Sequence, residues 1–592
     1  MNKLYKISFL SFLGITSASV NVSAQTAVKD TTLNRHVNLE REYTPSIKDA
    51  SKINTLPALY QPQKKQYNIQ FENAIPSVNL SNDAIGDTGS GDIKTNIDYS
   101  KHKGYLLFGA GMYTNLEGAL GYRIVDAPND QLDIFATHSF TNARIKYLFK
   151  DSPLDEVKAY DMENLIKLTY KHSFDAFIWH LRGSYLNNAF NYYGNPYIID
   201  PLANTESFEK SLKDKQTANV LELETGIASN PTNSVLYSGN IKYNRFSQKY
   251  GPDKANRGIS ANLIDVTADV AVPFEQLLHI DDFKIGARGR IFHQGCDPVQ
   301  YETSKDQFYD LSLIQANPYI SLGEVGDAIL LEVGAKLNYA IDYNDKTRIA
   351  PKLKLLWNFA QKNSFYINVD GGVNDNNLVS IHRENKYANP FRRIAISQTH
   401  YDMRTGIKSG AIAGFEFDIF GGYKYTKNEH LYTQVSASSW ANVSDALYAN
   451  LTTGHLGGSL HTRLIPNTDV SMKVVGYFYN VKEYSGLNTH PSQKRAWGLP
   501  NMTFDLNADF HIIDNLVLTA HYAFEGGRKT YLNSQSIKMS SVNDLSFRAN
   551  YQVLDWFSVY GKINNIMNQR YERYYGYTLQ GINALIGASL KF

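Results

Sequence analysis

Six polar side chains late in the chain are the first candidates for chemistry: Asp505, Asp509, His511, His521, Glu525 and Arg548. Asp505, Asp509 and His511 occupy alternate positions of one segment. His521 and Glu525 do so in the next, and Arg548 lies in a third. Carboxylates, imidazoles and a guanidinium gathered on one surface can bind a small polar solute or select ions, as rings of charge do in pores. They can equally do no more than keep a wall wetted.

Two loops form a second set. Asn191-Tyr-Tyr-Gly-Asn-Pro-Tyr197 and the stretch from His382 to Arg393 mix aromatic rings with Asn and Arg. Such mixtures suit stacking and hydrogen bonding to sugars or other polar ligands, and they suit packing against each other. The oxygen-rich run from Asp370 to Asn377 lacks the spacing of a calcium loop, so no metal ligand is assigned. No Gly-x-Ser-x-Gly, His-Glu-x-x-His, phosphate-binding loop or paired-cysteine motif is present. No catalytic or cofactor-binding residue is therefore assigned, and a Ser/His pair meeting across strands stays as the enzyme alternative. A net charge of +2 gives no support for nucleic-acid binding.

The elements that must position these residues read as β-strands, because side chains alternate faces with period two. Phe504, Leu506, Ala508, Phe510 and Ile512 alternate with Asp505, Asn507, Asp509 and His511. After a turn at Asp514-Asn515, Leu516, Leu518, Ala520, Tyr522 and Phe524 alternate with Thr519, His521 and Glu525. Leu545, Phe547, Ala549, Tyr551 and Val553 alternate with Asp544, Ser546, Arg548, Asn550 and Gln552. At the terminus Phe592, Leu590, Ala588, Ile586, Ala584 and Ile582 oppose Lys591, Ser589, Gly587 and Asn583, with Leu585 the apolar exception.

A strand apolar on one side and closed by Phe592 resembles the last strand of a bacterial outer-membrane barrel. The resemblance implies that Phe592, Leu590 and Ala588 belong to a signal read by the barrel-assembly machinery. The 41 Tyr and 29 Phe suit the aromatic girdles of such barrels. No apolar run past the N-terminus approaches the roughly 18 residues of a membrane-spanning helix.

Short connections at Ile513–Asn515, Ala360–Asn363, Ile465–Asp469 and Leu554–Asp555 contrast with long ones at 143–160, 188–216, 294–308, 374–400, 483–501, 526–539 and 566–581. The pattern predicts an all-β, transmembrane, antiparallel up-and-down barrel of about 22 strands over 103–592. Residues 410–465 are ambiguous. There Leu431-Tyr-Thr-Gln-Val435 reads as loop or as an extra hairpin, so 20 to 24 strands fit. Residues 1–24 read as a signal peptide, with Lys3 and Lys6, an apolar core from Phe9 to Val20, and Val22-Ser23-Ala24 at the cleavage site. Residues 25–102 read as a polar periplasmic or lumenal segment. The single Cys296 excludes an intramolecular disulfide.

The stretch Lys562-Ile-Asn-Asn-Ile-Met-Asn-Gln-Arg-Tyr571 resembles the final hairpin of TonB-dependent outer-membrane receptors. Asn565, Asn568, Tyr571, Gly576, Tyr577 and Gly581 match that pattern, while Ile582 stands where the family has Arg. The resemblance implies solute uptake across the outer membrane of a Gram-negative cell, contact with outer-membrane lipid, and a small polar solute. It also implies a globular plug ahead of the barrel, for which residues 25–102 are too few. Residues 37–60 are the candidate strip for an energy-coupling protein, or for a periplasmic or lipoprotein partner. A plugless scaffold docking such partners is the alternative function.

Overall fold

The computed structural model describes residues 102–592, except 150–153, 196–211, 232, 252–257, 275–282, 298–309, 324–326, 342–345, 361, 390–393, 413, 434–442, 486–492 and 533–534. The expected signal peptide (1–24), the segment up to Lys101 and the expected 37–60 docking strip lie outside the described residues.

Twenty-four strands follow in chain order. They are β1 (Gly104–Gly111), β2 (Leu116–Asp126), β3 (Asp130–Lys146), β4 (Glu156–Ser173), β5 (Phe177–Asn191) and β6 (Lys215–Ser229). Then come β7 (Leu236–Gln248), β8 (Ser260–Phe274), β9 (Phe283–Cys296), β10 (Leu311–Leu322), β11 (Ile329–Ile341) and β12 (Lys346–Ala360). β13 (Asn363–Asn374), β14 (Ser397–Ile412), β15 (Phe415–Thr433), β16 (Asp445–Thr462), β17 (Thr468–Ser485) and β18 (Met502–Ile513) continue the series. β19 (Leu516–Gly526), β20 (Lys529–Leu532), β21 (Gln535–Lys538), β22 (Val542–Leu554), β23 (Phe557–Asn564) and β24 (Asn583–Lys591) complete it. An α-helix, α1, spans Leu378–Glu384, and a 3-10 turn spans Met112–Thr114.

Twenty-two strands form one sheet, and β20–β21 make a separate hairpin. Closure comes from β1, which pairs antiparallel with both β2 and β24. The expected up-and-down barrel of 22 strands is therefore what forms. The ambiguous Leu431 stretch continues β15, which runs to Thr433. The additional hairpin lies elsewhere, in the 527–541 connection.

Connections alternate. Turns such as 174–176, 514–515 and 555–556 sit at one end, with the start of β1 and the end of β24. The connections after β5, β13 and β23 sit at the other and are long, while 112–115 there is short. By the asymmetry of outer-membrane barrels the long-loop end is extracellular.

Exposure separates the two faces. Ile586, Phe478, Ile349 and Leu456 are 74%, 69%, 64% and 63% exposed, all on the outer face of the wall. So much bare apolar surface suits hydrocarbon, and a closed ladder presents no free sheet edge to it. Aromatic pairs mark the lower edge: Tyr122 stacks on Phe592 at 5.7 Å, and Tyr170–Trp179, Trp357–Phe359 and Trp556–Phe557 follow. Leu585, the apolar exception, lies on the inner face and is only 4% exposed.

The inner wall carries paired charge. Arg288 grips Glu332 with two bonds of 2.7 and 3.0 Å and Asp269 with a third at 2.9 Å. Near closure, Lys562 and the Tyr560 hydroxyl both donate to Glu117, at 2.8 and 2.7 Å. These pairs tie together strands one to three places apart around the wall.

Candidate functional site: the extracellular mouth

The 375–396 loop leaves the rim between β13 and β14 and folds inward. Asn376 adopts a left-handed φ of 46°, which turns the chain, and Asn377 caps α1 by accepting from the Ser380 N–H at 3.0 Å. Asp375 pairs with Arg290 of β9 at 2.8 Å, and Gln294 of β9 accepts from the Leu378 N–H at 3.0 Å. Val379, Ile381 and His382 face down and are buried. His382 meets the rings of Phe190 on β5 and Phe246 on β7. Lys386 reaches Asp161 of β4 at 2.7 Å. A loop rooted at β13–β14 thus contacts β4, β5, β7 and β9. It crosses the mouth.

The 565–582 loop meets it from β23–β24. The Tyr387 and Tyr577 rings stack at 4.0 Å, and Tyr193 packs edge-on against both. The Tyr574 hydroxyl donates to the Glu384 carbonyl at 2.6 Å, and the Asn195 N–H donates to the Gly576 carbonyl at 3.1 Å. Together these loops form an apolar and aromatic lid, with Phe190, Tyr192 and Tyr577 essentially without exposed surface.

The hairpin residues matched by sequence build this loop. Asn565 and Asn568 take φ of 48° and 49°, and Gly576 takes 88°, conformations that bulky residues resist. The Asn565 amide donates to the carbonyls of Gln569 and Gln580, while its oxygen accepts from the Gln569 N–H. Asn568 accepts from the Ile582 N–H at 3.1 Å. A Cβ on Gly581 would fall 2.5 Å from that same Asn568 oxygen. Tyr571 donates to Asp544 at 2.7 Å, and Tyr577 is the stacked ring. The motif shapes the loop that closes the mouth.

The six polar candidates divide. His521 lies 3.0 Å from Asp505, and Thr519 donates to Asp509 at 2.6 Å. His511 stands 3.9 Å from Asp469, which sequence reading did not single out. Arg548 lies over the Tyr560 ring at 5.3 Å, beside the Glu117–Lys562 pair. Glu525 is only 3% exposed, under the extracellular loops beside Arg528 at 3.6 Å, away from any wetted wall.

The two aromatic loops marked as ligand candidates meet edge to face through Tyr193 and Tyr387; their residues 196–197 and 390–393 lie outside the described set. Asp370 is held by Lys336 and Lys352, and Asp375 by Arg290, so both carboxylates of the oxygen-rich run have cationic partners. Among the described residues no cluster of His, Cys, Asp or Glu could hold a metal ion.

Sequence reading missed Arg528, Glu572 and the inward turn of α1. Burial pushes His382 down to about 3, helped by the neighbouring Lys386 cation. Burial pushes Glu572 up to about 7, against the Gly576 N–H and Arg528, which favour its ionised form.

No protein-family model and no curated protein matches the sequence. Solved structures do match. The ferric enterobactin receptor of Pseudomonas aeruginosa, in complex with enterobactin, is 11% identical with a TM-score of 0.61, covering 83% of this chain and 81% of that one. The pyoverdine outer-membrane receptor of Pseudomonas aeruginosa, bound to pyoverdine, is 12% identical with a TM-score of 0.57, over 83% and 78%. The ferric-catecholate import receptor of E. coli is 11% identical with a TM-score of 0.58, over 83% and 82%. These are TonB-dependent receptors, and at such identity the likeness is one of fold. The chain has the barrel of these outer-membrane proteins.

Proposed function

We propose that this barrel takes up a small polar solute across the outer membrane, through a bore whose extracellular end is held shut by the 375–396 and 565–582 loops. One observation carries the reading: loops rooted on different parts of the rim meet in the Tyr387–Tyr577 stack. A scaffold has no need of such a lid, whereas a conduit must be closed when empty. The polar bore wall, with Asp505–His521 and Asp509–Thr519 exposed along it, suits a hydrated cargo. The likeness in fold to receptors named for siderophores supports uptake and leaves the cargo unnamed. The N-terminal segment is the candidate contact for an energy-coupling partner.

The test is solute entry into liposomes holding the full chain, compared with a variant in which 378–389 is replaced by a short Gly/Ser link. Entry of small sugars should rise several-fold in the trimmed variant. If entry is unchanged, both in the full chain and in one also lacking 37–80, the conduit reading fails.

A further inference from the structure

Arg528 lies where the chain leaves β19, and its guanidinium joins two loops. It donates to the carbonyls of Ser540 at 3.1 Å, Glu572 at 2.9 Å and Arg573 at 3.3 Å. Its Nε lies 3.6 Å from a Glu525 oxygen, with both side chains at most 4% exposed. Glu572 is also 4% exposed, and its carboxyl accepts from the Gly576 N–H at 3.2 Å. That bond sets the turn that presents Tyr577 to Tyr387.

Charge counting in this dry pocket gives two carboxyls and one guanidinium, whose Nη groups already serve backbone carbonyls. Two buried negative charges cannot both be met by one cation. Glu525 has the guanidinium beside it. Glu572 has only one amide, so the proton belongs there. A second cation, half-buried Arg573, acts on Glu525 and favours its ionised form against burial, which leaves Glu572 as the carboxyl with the weaker cationic support. Asp544 on β22 is engaged by Tyr571, and Tyr575 stays neutral because burial raises it.

We propose that a proton on Glu572 latches the extracellular mouth, and that its loss as the medium turns from acid to neutral loosens the 527–541 and 565–582 loops. This names the regulation of the lid on which the uptake reading rests, but loop opening is measured without any transport. The closed state holds a proton that the opened, hydrated carboxyl releases. Closure is therefore fully supported below about 4.5, and that support is lost as pH rises to about 7. His382 ionises only near 3 and does not contribute over this range.

Hydrogen exchange on the full chain in detergent tests the latch. The amides of Arg573, Tyr577 and Leu579 donate within the loop and report on its closure. After correction for intrinsic exchange against peptides of the β18–β19 turn, their protection should fall by up to about tenfold per pH unit between pH 5 and 7, then level. Glu572→Gln should give a protected loop with no slope. Glu525→Gln frees Arg528 to neutralise Glu572, so the fall should move to lower pH. A flat wild-type profile overturns the proposal, as does an unchanged slope in Glu572→Gln. Should Glu572→Gln not fold, an unshifted profile in Glu525→Gln overturns it alone. Loss of the pH response with intact solute entry would remove the latch and leave the uptake reading standing.

Discussion

The Tyr387 and Tyr577 rings stack at 4.0 Å with only 23° between their planes, although one belongs to the β13–β14 loop and the other to the β23–β24 loop. Neither ring contributes to the wall. Their contact turns two separate loops into one cover. Tyr577→Ala removes a fully buried ring and should cost about 3–5 kcal/mol of local closure. Hydrogen exchange should show faster exchange in both 378–389 and 565–582, with the wall strands unchanged. Faster exchange confined to one loop would mean that the stack does not couple them.

Asn565 and Gly581 carry the turn itself. Asn565→Ala removes three side-chain hydrogen bonds and places alanine at a φ of 48°, so a loss of about 2–4 kcal/mol in loop stability is expected. Gly581→Ala drives a Cβ into the Asn568 oxygen and should loosen the Ile582 end of the loop. Limited proteolysis at Arg570 and Arg573 is the readout. Both variants should be cut faster than the parent chain while the barrel stays heat-modifiable on gels.

The seam where the barrel closes depends on Lys562. Its ammonium sits 2.8 and 2.9 Å from the two oxygens of Glu117, which is 5% exposed. Lys562→Met leaves that carboxylate unpaired and should destabilise the barrel by about 3–5 kcal/mol in urea unfolding. Adding Glu117→Gln should restore most of the loss. No recovery in the double variant would show that packing, not charge, sets the cost.

Register across the wall is checked by neighbours of opposite face. Leu518 points outward and Thr519 inward, where it bonds Asp509. Leu518→Arg should cost roughly 2–4 kcal/mol of membrane insertion near midplane, and Thr519→Arg far less. Folding yields into lipid vesicles measure both. Equal losses would mean that the faces are assigned wrongly.

The wall was legible in the sequence because lipid outside and water inside impose the period-two code at every strand. Phe504 to Ile512 and Leu545 to Val553 show it cleanly. Leu585 broke the code, since at that point the inner face of β24 packs against β1 at closure and is buried. The mouth was only half legible. The hairpin asparagines and glycines stood out because left-handed turns demand those residue types. The meeting of Tyr387 with Tyr577 left no local signal, because it is a contact between loops far apart in the chain. Arg528 was invisible for a related reason: its partners are mostly carbonyls, and any residue supplies a carbonyl. Glu525 was read as a wall residue because its parity is right, but loops that periodicity cannot place bury it.

Loops that close the extracellular end of the barrel should shield its inner face from a large reagent added outside. Thr267 lies on the inner face of β8, opposite Arg290, whose guanidinium holds Asp375 at the root of the lid. With Cys296→Ser as background, Thr267→Cys places one thiol inside the barrel. A membrane-impermeant maleimide of roughly a lid-excluded size, on the order of 1 kDa, is then added to intact cells. With the loops intact, labelling should be at least about tenfold slower than in the variant trimmed at 378–389. Equally rapid labelling of both would show that the loops do not close the barrel.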